Sequence, residues 1–164
     1  MTIIKKTLIA ATAAASVFAA GSATAENEIM MGFNPFSSTV TSAIAPTYMV
    51  GIRTSDQLLP YAYLSIADDG RENSDTTFQL GGGARFYLDN ISENIRPFAG
   101  AAIGIVNATD TGFGIGGFFG AEAMVTESFS VSGQIGAEIS DDGGQNSSTA
   151  ISLGTANVMF NLYF

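Results

Sequence analysis

Cysteine, histidine and tryptophan are absent from all 164 residues, and each absence removes a class of solution. Without cysteine, no disulfide framework can hold an exported domain together. Without histidine or cysteine, the chain lacks the commonest general base and the thiolate nucleophile, so most enzyme chemistry is excluded. Without tryptophan, any interfacial aromatic belt has to be built from other rings. Cations are scarce: Lys5, Lys6, Arg53, Arg71, Arg85 and Arg96 face 15 carboxylates, for a net charge of −9. Nucleic-acid binding runs on basic side chains that release counterions from phosphates, so a nucleic-acid partner is excluded. Long apolar runs are missing after residue 25. The longest charge-free one, Pro97 to Val106, falls far short of the ~20 residues of a helical membrane span. Mean hydropathy is nevertheless +0.28, so apolar content has to be arranged in some other way.

The N-terminus is the exception. Lys5 and Lys6 precede an apolar stretch from Leu8 to Ala20, and Ala23 and Ala25 stand before Glu26. This three-part layout reads as a secretory signal peptide over residues 1–25, cleaved after Ala25. The apolar stretch is too short for a membrane anchor. Its removal leaves 139 residues, 26–164, with no lysine and a net charge of −11. That length fits one domain.

Within it, apolar residues recur with period two. From Phe129 to Ser140, the row Phe129, Val131, Gly133, Ile135, Ala137, Ile139 alternates with Ser130, Ser132, Gln134, Gly136, Glu138, Ser140. The same alternation runs through Phe78 to Leu88 and Phe113 to Val125. Eight such segments occur, at 27–34, 46–54, 58–67, 76–88, 96–107, 112–125, 128–140 and 149–164. Eight tilted strands of ~11 residues account for the length of a closed membrane barrel with short turns at one end and longer loops at the other. The expected fold is an all-β, eight-stranded antiparallel up-and-down transmembrane barrel. With both termini periplasmic, the outer loops are Pro35 to Ala45, Asp68 to Asp75, Ala108 to Thr111 and Asp141 to Ser148. The inner turns are Ser55 to Gln57, Asp89 to Ile95 and Thr126-Glu127. The rival reading is a soluble exported β-sandwich that serves as a binding module. It demands a charged outer face, whereas the non-apolar face here is mostly Gly, Ser, Thr, Gln and Asn.

Three stretches resemble the small outer-membrane β-barrels of the OmpA, OmpX and opacity-protein type: Gln79 to Tyr87, Arg96 to Gly104, and Val158 to Phe164. The resemblance implies the outer membrane of a Gram-negative cell, with lipid and lipopolysaccharide as surroundings and periplasmic chaperones and the barrel assembly machinery as partners in biogenesis. It implies that Val158, Phe160, Leu162 and Phe164 form the signal that this machinery reads. In place of tryptophan, Tyr48, Phe86, Phe129, Phe160 and Phe164 are expected to serve as the aromatic girdle.

Glu28, Arg53, Arg85, Arg96 and Glu122 all fall on the inward face near the inner turns. An eight-stranded barrel is only wide enough for side chains to fill, so these charges are expected to pair or hydrogen-bond as an inward polar network. Glu138 sits higher, without an obvious cation. Glu122 and Glu138 are the only candidate carboxylate pair, and they stand at different heights. Lumen glycines such as Gly81, Gly83, Gly100 and Gly104 leave room for Tyr61, Tyr63, Phe98 and Phe118. Asp68, Asp69, Glu72, Asp75, Asp141 and Asp142 gather in outer loops without the spacing of a calcium loop. The expectation is a non-enzymatic, monomeric outer-membrane barrel without catalytic residue, cofactor or metal, contributing envelope integrity or surface interaction through its loops. The alternative is a narrow porin-like channel for small solutes or apolar ligands.

Overall fold

In the computed structural model the alternating segments become eight strands: β1 (Glu28–Ser38), β2 (Ile44–Arg53), β3 (Leu58–Ala67), β4 (Thr77–Tyr87), β5 (Ile95–Asn107), β6 (Thr111–Thr126), β7 (Phe129–Asp141) and β8 (Thr149–Tyr163). Residues 28–38, 44–67, 77–107, 111–141, 143 and 148–164 are described. The signal segment with its Ala25 cleavage point lies outside them, as do Asp68, Asp69, Glu72, Asp75 and Asp142.

Each strand pairs antiparallel with the next, and β8 returns to β1, so the sheet is a closed up-and-down barrel. The seam runs from Met30↔Tyr163 to Phe33↔Phe160. Ile29 and Phe164 extend it with a reciprocal pair of backbone hydrogen bonds of 3.1 and 3.0 Å. Closure along this seam pairs the two strands at which an open sheet would add further chains.

Side chains alternate across this wall as the sequence does. On β6, Phe113, Ile115, Gly117 and Phe119 are exposed on the outer face, while Gly120 and Glu122 are buried within. The lumen holds a packed cluster of Met30, Met49, Leu59, Tyr61, Tyr87, Phe98, Met159 and Tyr163, with Tyr63, Ala102, Phe118 and Met124 against it. Tyr61, Tyr63, Phe98 and Phe118 are the expected fillers. Met30, Met49 and Leu59 are not, because Met30-Met31 and Leu58-Leu59 put apolar residues on both faces and erase the alternation there. Glycine makes the filling possible: a Cβ at Gly81 or Gly104 would overlap the Tyr63 ring, and one at Gly100 the Phe118 ring.

Two loop boundaries and the phase of β8 depart from the sequence reading. The outer loop expected over Pro35 to Ala45 is shorter, because β1 runs on to Ser38 and β2 begins at Ile44. Pro35, which has no N–H to donate, stands where the β1–β2 register slips between Asn34 and Ser37, as a bulge permits. The tight turn expected at Thr126-Glu127 is centred on Glu127-Ser128, where the Ser128 N–H donates to Thr126 Oγ1. In β8 the partner of Gly136 is Thr155 and the partner of Ala137 is Leu153, so Gly154 is the extra residue of a bulge. Its φ of 74° is the left-handed conformation that glycine adopts without steric cost. The bulge shifts the strand's phase by one. Ile151 and Leu153 then face outward, together with Val158, Phe160 and Leu162.

Candidate functional site

Two layers of polar side chains occupy the lumen. The lower one, near the inner turns, contains the five charged residues expected there. Glu28 and Arg53 face each other across β1–β2, and Arg53 Nε lies 3.1 Å from Glu28 Oε2. This is the only ion pair among the described residues. The Arg53 guanidinium also lies 5.2 Å from the centroids of the Tyr87 and Tyr163 rings. Arg96 pairs in register with Glu122, yet its guanidinium turns to the Tyr87 ring at 4.8 Å, and Nη2 donates to the Asp56 carbonyl at 2.9 Å.

Glu122 is fully buried, and its partners are uncharged. Its carboxylate accepts from the Tyr87 hydroxyl at 2.6 Å, from the Ser130 and Tyr163 hydroxyls, and from Asn161 Nδ2 at 3.3 Å. Asn161 Nδ2 also reaches Ser130 Oγ at 3.0 Å and Ser132 Oγ at 3.2 Å, which ties β7 to β8 beneath the carboxylate. These donors come from β4, β7 and β8, so Glu122 on β6 joins half of the strands. The alternation places all of them inward, but no sequence signal assigns them to Glu122, because their convergence depends on barrel shear.

Arg85 is equally buried. Nη2 stands 2.8 Å from Met159 Sδ and the guanidinium 4.7 Å from the Phe98 centroid, while Nε and Nη1 have no hydrogen-bond partner. An aromatic face offsets part of the desolvation of such a cation. The lower lumen is therefore one packed layer in which Tyr87 links three of the five charges: it stacks under Arg53 and Arg96 and donates to Glu122.

The upper layer is looser. A cavity of about 150 Å³ lies between the lower cluster and the outer connections, lined by Asn34, Tyr63, Gln79, Gln134, Glu138 and Asn157 among others. Glu138 pairs in register with Gly116, six residues along β6 from Glu122. At ~3.4 Å per residue the two backbone positions are about 20 Å apart along the strand, more than two glutamate side chains can close. This is well beyond the ~5–9.5 Å of a carboxylate pair that works on one glycosidic bond. Among the described residues no three His, Cys, Asp or Glu side chains gather around a possible metal position.

Of the rings expected to form a girdle, Tyr48, Phe86, Phe160 and Phe164 are exposed on the outer wall, while Phe129 is half-buried. Phe33 adjoins both Tyr48 and Phe160 in register, and its ring packs at a tilt against Tyr48 with the centroids 5.3 Å apart. Phe78 and Phe113 add exposed rings at the outer-loop ends of β4 and β6.

No family profile and no curated protein sequence matches the chain. Among solved structures, the N-terminal β-barrel domain of Pseudomonas aeruginosa OprF superposes with a TM-score of 0.55 at 15% identity, over 84% of this chain and 96% of that one. Neisserial surface protein A gives 0.47 at 17% identity, covering 84% and 90%. The attachment invasion locus protein Ail of Yersinia pestis gives 0.40 at 6%, covering 84% and 97%. The first of these likenesses, together with the closed β1–β8 sheet, gives the chain the fold of the small eight-stranded outer-membrane β-barrels.

Proposed function

We propose that the chain is an integral outer-membrane protein without enzymatic activity, which stabilises the envelope and presents its outer loops for surface contacts. The observation that carries this reading is the outer wall. Every strand exposes a large apolar side chain there: Phe33, Val50, Ile66, Phe86, Ile103, Phe119, Ile135 and Phe160 on β1 to β8 in turn. A continuous belt of this kind is far larger than the apolar patches that soluble monomers tolerate, and hydrocarbon is the solvent that suits it. The fold shared with the N-terminal β-barrel domain of OprF supports the same reading.

The lower lumen supports a closed barrel over a channel. Arg85, Tyr87, Phe98, Met30, Leu59 and Glu122 are all buried to within 1% and fill the space that an ion would have to cross. On this reading residues 1–25 direct export and are removed after Ala25, and lipid and lipopolysaccharide surround the belt. Periplasmic chaperones and the assembly machinery handle the unfolded chain, and the outward row Val158, Phe160, Leu162 and Phe164 on β8 is what the machinery reads. The barrel works as a monomer.

Membrane fractionation and gel mobility test the proposal. The protein sediments with outer membranes and migrates faster on a denaturing gel before boiling than after. In planar bilayers it gives no conductance steps. A mobility indifferent to boiling, with the protein in the soluble fraction, refutes the barrel reading. Regular conductance steps favour the channel instead.

A further inference from the structure

We propose that the upper lumen is a blind binding site for a small organic ammonium ion, held by Glu138 with Gln79 and Tyr63. The inference rests on the closed floor of the preceding reading, which makes the cavity a pocket instead of a passage.

Glu138 lines the cavity with a carboxylate that no hydrogen bond or ion pair reaches among the described residues. Gln79, only 9% exposed, lines it too, and its Oε1 is buried without a partner. Gln79 Oε1 is a buried acceptor that is costly unless a donor enters, and the half-buried Glu138 carboxylate beside it supplies the negative charge. The cations in the lumen are committed elsewhere: Arg53, Arg85 and Arg96 all belong to the lower layer. Glycine clears the space for the acceptors. A Cβ at Gly114 would stand 2.6 Å from Glu138 Oε1, and one at Gly104 would overlap the Tyr63 hydroxyl.

The lining also selects the kind of cation. Glu138 is the one carboxylate among the residues lining the cavity, and no three His, Cys, Asp or Glu side chains of the described residues gather there, so the charge suits a monovalent cation better than a hard divalent ion. Met49, Phe118 and Met159 line the same cavity and present a surface that suits a short alkyl stem, with the Tyr63 and Phe118 rings able to receive an ammonium head. The volume of about 150 Å³ is many times the ~10–15 Å³ that one water needs, room for a chain of four or five heavy atoms.

The test uses barrel purified in non-ionic detergent from cells expressing the full chain, titrated with n-butylammonium and, separately, with n-butanol and butyrate. Amide resonances of Gly114, Gly116 and Glu138 are followed by NMR. The expected result is a saturable shift with butylammonium, at least about tenfold weaker binding of the other two, and a loss of about tenfold or more in E138Q, the scale of one charge-assisted hydrogen bond. Heat-modifiable migration reports whether E138Q has folded. If it has not, discrimination among the three probes by the unaltered protein decides alone. The proposal is overturned if butylammonium gives no saturable shift, if butanol or butyrate binds as well, or if folded E138Q binds like the parent. A heat-modifiable, non-conducting barrel that fails to bind overturns this inference only. Conductance steps overturn the closed floor itself.

Discussion

Glu122 is enclosed without touching an arginine, and this has an energetic consequence. A buried carboxylate costs several kcal/mol in desolvation, and its hydrogen bonds offset that cost only as a set. Replacing Glu122 by Ala strands the Tyr87, Tyr163, Ser130 and Asn161 donors and leaves Arg85 without a counter-charge, so about 3–5 kcal/mol of stability is lost. Tyr87→Phe keeps the ring under Arg53 and Arg96 but removes one bond to a charged acceptor, a loss of about 1.5–3 kcal/mol. With no tryptophan as reporter, urea unfolding is followed by far-UV circular dichroism and gel mobility. Glu122→Gln with Arg85→Met removes both charges and costs less than the sum of the two single changes. An additive result would show that Arg85 and Glu122 do not interact. The sequence places all five charges inward near one end. It does not say that Glu122 is satisfied by phenols and amides while Arg96, its register partner, stacks on a ring.

Strand β8 carries a phase shift that its sequence shows in retrospect: Ile151 and Leu153 are in step with each other but out of step with Val158, Phe160 and Leu162. Gly154 absorbs the slip. A Cβ there would meet nothing within 4 Å, so space is not the constraint; the φ of 74° is. Gly154→Ala is expected to cost about 1–2 kcal/mol through left-handed backbone strain, and Gly154→Asn less. Deleting Gly154 is more damaging, since it turns Ile151 and Leu153 into the lumen or forces the register to slip. Denaturant midpoints of the three variants check this order, and an alanine variant as stable as the parent would mean that the bulge relaxes. Elsewhere the strands were legible because one face meets apolar surroundings and the other a polar or aromatic interior. Legibility fails where that contrast fails, as at Met30-Met31, and at Pro35, where a bulge lets the strand run past a residue that cannot pair.

For the molecule as a whole, the outer belt and the lumen floor impose opposite rules on substitution. Ile115 and Phe119 lie on the exposed face of β6, and arginine at either is expected to cost about 2–4 kcal/mol if the belt sits in hydrocarbon. Arginine at Glu127, in the exposed inner turn, costs close to nothing. Unfolding of these variants from lipid vesicles measures the difference, and equal stability for Ile115→Arg and Glu127→Arg would place the belt outside the bilayer. By itself the sequence determined the class and count of the strands, the inward and outward sides of most of them, and the end of the barrel that holds the charges. Period two and turn spacing are local properties written residue by residue. Only the tertiary structure decided which donors reach Glu122, that Met30 and Leu59 are buried in the lumen cluster, and that Glu138 and Gln79 share one cavity. Those facts depend on the closure and shear of the barrel, which bring together side chains from strands far apart in the chain.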